Sequence, residues 1–73
     1  MPPAGMNKQE TRGFEARETI CLAALHCLAE LGYARTTILR IVNRANVSKG
    51  ALQHHFPTKE DLMTATAERI LRN

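Results

Sequence analysis

The first half of the chain carries apolar residues at steps of three and four, the spacing that places an apolar stripe along one face of an α-helix. The stripe lies within Glu15–Leu31 and consists of Ile20, Ala24, Cys27, Leu28 and Leu31. Gly32 follows it, and glycine is common just beyond a helix C-terminus. The pattern predicts a first helix over 15–31, with Cys27 in the buried stripe. Cys21 and His26 fall to the sides of the stripe, where we expect no role for them.

A second, much shorter pattern covers residues 37–44. Its apolar positions, with the residue that follows, are Ile38, Ile41, Val42 and Ala45. Thr36 and Thr37 precede this pattern, and threonine is one of the residues that cap helix N-termini. Asn46 then interrupts it, and asparagine tolerates the left-handed backbone conformation that a tight turn requires. We therefore expect a short helix that ends in a sharp turn.

A third pattern predicts another short helix over residues 48–55. Ser48 is placed to cap its N-terminus. Leu52 and Phe56 lie four residues apart and therefore on one side of the helix, where we expect them to be buried. Pro57 prevents the helix from continuing.

The sequence Thr58-Lys59-Glu60-Asp61 approximates a capping box, with Asp in place of the usual Glu, and predicts a fourth helix over 58–73. Residues 1–13 are proline, glycine and mostly polar residues, which predicts a disordered N-terminal arm. The remainder, 14–73, is predicted to be one all-α, homeodomain-like domain of three to four helices. Its two short helices and the turn between them form a helix-turn-helix motif over 37–56.

The charge of the chain is unevenly distributed. Its 73 residues carry a formal net charge of +3, which is modest, and one domain is all that this length allows. Residues 34–59, however, contain no Asp or Glu, and their basic residues are Arg35, Arg40, Arg44, Lys49 and Lys59. Such a stretch attracts polyanions such as nucleic acids. From charge alone, a plain solvated basic surface is an equally good explanation.

The residue types of catalytic and metal sites are present but not in the patterns that those sites need. Cys21 and Cys27 are too far apart on one helix to form a disulfide, and they lack the short paired spacing of a zinc site. His54 and His55 are adjacent and therefore point in different directions. No phosphate-binding glycine loop or nucleophile motif occurs. We expect no enzymatic activity, metal or cofactor. The lack of a signal peptide or long apolar run favours a cytoplasmic location away from membranes.

Three consecutive segments together resemble one known family. They are Gly32–Thr37 (GYARTT), Ile41–Leu52 (IVNRANVSKGAL) and Gln53–Leu62 (QHHFPTKEDL). These segments look like the N-terminal helix-turn-helix domain of the TetR family of transcriptional regulators, and the pattern matches without a gap. The chain departs from the family pattern in three places. Val42 replaces a common alanine, Asn46 replaces the usual glycine of the turn, and Gln53 replaces an aromatic residue that commonly contacts a DNA phosphate.

The resemblance implies a set of DNA contacts at the starts of three helices and along the second short helix. These residues are Thr36, Thr37, Ser48, Lys49, Gly50, Ala51, Gln53, His54, His55 and Lys59. By the same resemblance, His55 and Lys59 contact phosphates, and Gly50 allows the backbone to approach the DNA closely. Ala51 is small enough to contact a thymine methyl group.

The function implied is sequence-specific binding of a double-stranded DNA operator, in a regulator that is by family default a repressor. The second short helix is expected in the major groove. A full-length family member forms a homodimer and holds a small-molecule effector in a larger C-terminal domain. We expect that domain to be absent from this chain, which would then be a monomer or weak dimer. The alternative is a helical protein-interaction module that uses Leu39 and Met63 and does not bind DNA.

Overall fold

The computed structural model describes the backbone of residues 8–72 and the side chains of residues 13–72. Within this range the chain forms four α-helices and no strand. They are α1 (Lys8–Leu31), α2 (Ile38–Ala45), α3 (Lys49–His55) and α4 (Lys59–Arg72). The long helix α1 packs against both α2 and α4, and α2 packs against α3. The predicted all-α, helix-turn-helix architecture is confirmed.

Helix α1 begins at Lys8, seven residues before the predicted start. The prediction that the N-terminal arm extends to residue 13 is therefore wrong for residues 8–13, and its part over 1–7 lies outside the described residues. Both N-terminal prolines precede Lys8, so nothing in the segment blocks a helix. Gly13 does not end it either, because a glycine inside a helix costs only about 1 kcal/mol relative to alanine.

The ends of the short helices are fixed by local side-chain caps, as predicted. The Thr37 hydroxyl accepts a hydrogen bond from the Arg40 amide at 3.2 Å, and the Ser48 hydroxyl accepts one from the Ala51 amide at 3.0 Å. Asn46 has φ 58° and ψ 44°, the left-handed conformation expected of the turn. These caps satisfy amide groups that a helix N-terminus otherwise leaves without partners.

The capping box at the start of α4 is also confirmed. The Asp61 amide donates to the Thr58 hydroxyl at 3.0 Å, and the Thr58 amide donates to the Asp61 carboxylate at 3.2 Å. Phe56 terminates α3 in an extended conformation, and Pro57 lies in the bend that follows. The two helices are thereby separated by a short, defined connection.

The core draws on all four helices. Its members with less than a tenth of their surface exposed are Ile20, Cys21, Ala23, Ala24, Cys27, Ile41, Val42, Leu52, Phe56 and Leu62. The expected burial of Cys27, Leu52 and Phe56 is confirmed. The expectation that Cys21 lies outside the core is wrong. Since α1 contacts α2 on one side and α4 on the other, its buried arc is wider than a single stripe and includes Cys21.

The sulfur of Cys21 faces α4, where Thr66 is its hydrogen-bonding neighbour, and burial raises the pKa of the thiol. Thr66 is itself buried, and its hydroxyl donates to the Leu62 carbonyl at 2.8 Å. Both cysteines are free thiols, as expected from their spacing. In this fold they act as small core residues.

Candidate DNA interface

Helices α2 and α3 form a compact unit whose inner side is apolar and whose outer side is open. Ile41, Val42 and Leu52 are buried between these helices and α1. The tight turn at Asn46 fixes the direction in which α3 leaves α2. As a result, α3 packs on the core through its inner side and presents its opposite side to solvent.

The exposed side of α3 carries Lys49, Gly50, Gln53 and His54, which we call the outer face of α3. These residues are neighbours because they are three or four positions apart on the helix. Ala51 is exposed beside them. A Cβ atom placed on Gly50 would meet no atom of the domain within 4 Å. The domain therefore does not need a glycine here for its own packing, and the gap at Gly50 is open to a partner that approaches from outside.

Thr36 is not part of this exposed surface. Its side chain is fully buried, and its hydroxyl donates to the Gly32 carbonyl at 2.7 Å. The prediction that Thr36 contacts DNA through its side chain is therefore wrong. Gly32 directly follows the last residue of α1, and helix ends leave carbonyls without partners inside the helix. The Thr36 hydroxyl provides such a partner. Thr37, by contrast, is exposed and caps α2.

Lys59 is in its predicted position at the start of α4, but within the domain it already has a partner. Its Nζ atom donates to the Tyr33 carbonyl at 3.0 Å and lies 4.0 Å from the centre of the Tyr33 ring. These residues are 26 positions apart in the sequence. The lysine thus ties the loop after α1 to the start of α4.

Arg44 forms a two-pronged ion pair with Glu30 of α1. Its Nη1 and Nη2 atoms donate to the two carboxylate oxygens at 2.9 and 2.7 Å. The hydrogen bond and the positive charge of Arg44 lower the pKa of Glu30, and the same hydrogen bond raises the pKa of Arg44. Part of the positive charge of residues 34–59 is therefore balanced by an acidic residue outside that stretch.

Three other cations of this stretch, Arg35, Arg40 and Lys49, are exposed and form no ion pair within the described part of the chain. Arg40 lies in α2 and Lys49 begins α3, on either side of the turn. Three exposed positive charges without acidic partners among the described residues thus lie in or next to the helix-turn-helix motif.

His55 lies on the flank of α3 and is half-buried. Its ring centre is 5.3 Å from that of His54, and the Arg17 guanidinium lies 4.6 Å from the centre of the neighbouring Phe56 ring. Burial lowers the pKa of His55, and the charges of His54 and Arg17 lower it further. His55 is therefore neutral at pH 7, when it can donate one hydrogen bond without contributing charge.

Arg17 was not anticipated from the sequence. It belongs to α1, yet its guanidinium lies over a residue that ends α3. Its position three residues before Ile20, on the border of the buried stripe, was the available signal. The structure thus adds an internal support for the C-terminal end of α3.

A known family matches most of this architecture. The model of the family described as bacterial regulatory proteins, tetR family, matches residues 20–66, well over half of the chain. The chain belongs to the TetR family. The matched range covers α2 and α3 entirely, together with parts of α1 and α4. The domain is accordingly the helix-turn-helix DNA-binding domain of this regulator family, as the resemblance implied.

Several curated TetR-type relatives are similar over most of the chain. HTH-type transcriptional regulator CymR of Pseudomonas putida is 45% identical over 60 residues, which are 82% of this chain and 30% of the relative. An uncharacterized HTH-type transcriptional regulator of Mycobacterium tuberculosis is 42% identical over 64 residues, which are 88% of this chain and 33% of the relative. HTH-type transcriptional regulator BetI of Burkholderia thailandensis is 36% identical over 73 residues, which are 100% of this chain and 34% of the relative. The chain spans about a third of the length of these relatives. No solved structure is significantly similar to it.

The described side chains, those of residues 13–72, contain no cluster of three or more His, Cys, Asp or Glu placed to bind a metal ion. None of the helices that the structure describes combines the length and the apolar character that a membrane span requires.

Proposed function

We propose that this TetR-type domain binds a double-stranded DNA operator sequence-specifically, with α3 in the major groove, as the DNA-reading part of a transcriptional repressor. The observation that carries the proposal is the outer face of α3, which is exposed, contains a gap at Gly50 and has no acidic residue. A helix-turn-helix protein places the N-terminal residues of its second helix at the base edges. In α3 those residues are Gly50 and Ala51, next to Lys49 at the start of the helix.

The surrounding cations suit the phosphates on either side of that groove. Arg35, Arg40 and Lys49 are exposed and without acidic partners among the described residues. Lys59 becomes a fourth phosphate contact when it exchanges the neutral Tyr33 carbonyl for a charged oxygen. By counterion release, about four such contacts give a slope of about −4 in a plot of log affinity against log salt concentration.

The caps and the histidines supply uncharged contacts. The hydroxyls of Thr37 and Ser48 accept hydrogen bonds from helix amides, so each retains its own proton to donate to a phosphate oxygen. His55 is neutral at pH 7 and fits the same role through a ring nitrogen. His54 is exposed on the outer face, where it faces the DNA.

The remaining proposals concern the whole protein. We infer that it is a cytoplasmic homodimer whose two DNA-reading domains bind the two halves of an operator, and that its effector pocket lies outside this chain. It is a regulator rather than an enzyme. A single domain binds one half-site without the gain that a linked second domain provides, so its affinity is weak.

The alternative, a protein-interaction module, has less support. Leu39 is two-thirds exposed, as that reading requires. Met63, its other proposed contact, is half-buried and packs against the core. An apolar docking surface also gives no reason for the lack of acidic residues over 34–59.

The test is a titration of this chain with a duplex that it selects from a randomised library, followed by amide NMR at two salt concentrations. We expect shifts at residues 37, 48–55 and 59 and a salt slope of about −4. Lys49→Gln and Arg72→Gln each remove one exposed positive charge, but only the first lies in the interface. Lys49→Gln should reduce the slope by about one, whereas Arg72→Gln should leave it nearly unchanged. Absence of shifts at those residues at low salt, with selected and random duplexes alike, would refute the proposal.

A further inference from the structure

Gln53 is the residue of the outer face of α3 whose chemistry departs from the family pattern. It is exposed, and its carboxamide takes part in none of the side-chain hydrogen bonds found among the described residues. It lies three residues after Gly50 and four after Lys49, so all three lie side by side. A glutamine left without internal contacts in this position is available for a partner.

The glycine determines where the carboxamide can go. Side chains in a helix lean toward its N-terminus, so Gln53 covers the surface of the preceding turn. That turn contains Gly50, which supplies no side chain, and the space beyond its Cα atom is open within 4 Å. The Gln53 carboxamide can therefore lie over the N-terminal half of α3, the part of a recognition helix that reaches the base edges.

The chemistry of the group favours a base over a phosphate. A phosphate oxygen only accepts hydrogen bonds, so a phosphate contact would use the amino group of the carboxamide and leave its oxygen without a role. A carboxamide, however, has a donor and an acceptor side by side, which match the N7 acceptor and the N6 donor of adenine in the major groove.

We propose that Gln53 determines specificity by pairing its carboxamide with the N7 and N6 atoms of one adenine in the operator half-site. The inference rests on the proposed function, because it requires α3 to lie in the major groove. A bidentate contact of this kind discriminates between adenine and another base by about tenfold to a hundredfold.

The test compares the sequences that this chain and two variants select from the same randomised duplex library. For the unchanged chain we expect one strongly preferred adenine. Gln53→Ala should lose the preference at that position alone. Gln53→Glu should change it to cytosine, since a carboxylate accepts from the N4 amine of that base. Because Gln53 is exposed, both variants should keep the melting temperature and the helical circular dichroism of the parent chain.

The outcomes separate this inference from the proposed function. If the unchanged chain binds no duplex at low salt, or selects no sequence, the proposed function fails and the inference fails with it. If the chain selects a site but Gln53→Ala weakens all sequences by the same factor, Gln53 contacts a phosphate and only the inference is overturned. A loss of adenine preference at one position, with the salt slope unchanged, supports it.

Discussion

Gly50→Ala should separate the stability of the domain from its affinity for DNA. Gly50 is the second residue of α3, after the Ser48 cap and Lys49. An added Cβ atom meets no atom of the domain within 4 Å, so it introduces no clash in the free protein. Alanine also has a higher helix propensity than glycine, by about 1 kcal/mol in a helix interior and less in a first turn. We therefore expect a stabilisation of about 0.5 kcal/mol and a rise in melting temperature of about 2–4 °C.

The effect on DNA binding should have the opposite sign. The gap at Gly50 is open only in the free domain, and in the proposed complex the groove fills it. A methyl group there separates α3 from the bases and lengthens the hydrogen bonds that Gln53 makes with a base. Loss of one well-formed base contact corresponds to about 1–3 kcal/mol, so we expect affinity for the selected duplex to fall at least about tenfold.

Gly13→Ala is the matched control, because Gly13 also lies in a helix but away from the outer face of α3. A Cβ atom on Gly13 would lie 4.0 Å from Cε1 of His55, an ordinary contact. This variant should gain stability, by about 1 kcal/mol, with no loss of affinity. Thermal melts by circular dichroism and fluorescence anisotropy titrations measure the two quantities. Unchanged DNA affinity in Gly50→Ala would refute the close approach of α3 to the bases. A lower melting temperature would refute the conclusion that the domain has room for a methyl group at Gly50.

Three further perturbations test other parts of the structure. Because the pKa of His55 is lowered in the folded state, the stability that His55 contributes is present above its unfolded pKa near 6.5 and is lost as pH falls below that value. Thermal melts between pH 5 and pH 8 should therefore show that the melting temperature of His55→Gln falls less toward low pH than that of the unchanged chain. An equal fall in both proteins would contradict this. Asn46→Ala should cost about 1–2 kcal/mol, seen by urea unfolding, since alanine disfavours φ 58°, whereas Asn46→Gly should not. Glu30→Gln should release Arg44 for a phosphate and steepen the salt slope by about one, and an unchanged slope would show that Arg44 makes no DNA contact.

The sequence predicted best those features that depend on neighbouring residues. The caps at Thr37 and Ser48 and the box from Thr58 to Asp61 each join groups three residues apart, so their signal is contained in a few letters of sequence. The left-handed turn at Asn46 is equally local. These features set the boundaries of α2 and α3, and with them the outer face of α3.

Features that depend on contacts between distant residues were missed. The burial of Thr36 and Cys21 is decided by helices that pack against them from elsewhere in the chain. The start of α1 was misplaced because residues 1–13 have the proline, glycine and polar composition of a disordered arm, whereas a single glycine at position 13 costs too little to end a helix. The ion pair of Glu30 with Arg44 spans 14 positions and has no local pattern.

Those distant contacts decide how many of the cations over 34–59 are free to contact DNA. The sequence shows five cations over 34–59, but the number that reach DNA depends on which internal contacts open. Lys59 is held by a single hydrogen bond to an uncharged carbonyl and by an aromatic ring, whereas Arg44 is held by two parallel hydrogen bonds to an oppositely charged carboxylate. A phosphate should therefore displace the partner of Lys59 more readily than that of Arg44.

The salt slope then reports which contacts have opened. At about 0.9 per phosphate contact, three exposed cations give a slope of about −3, the release of Lys59 brings it to about −4, and the release of Arg44 as well brings it to about −5. We expect the intermediate value for the unchanged chain. A slope near −3 in both the unchanged chain and Lys59→Gln would mean that the lysine stays on Tyr33 in the complex and has a structural role alone.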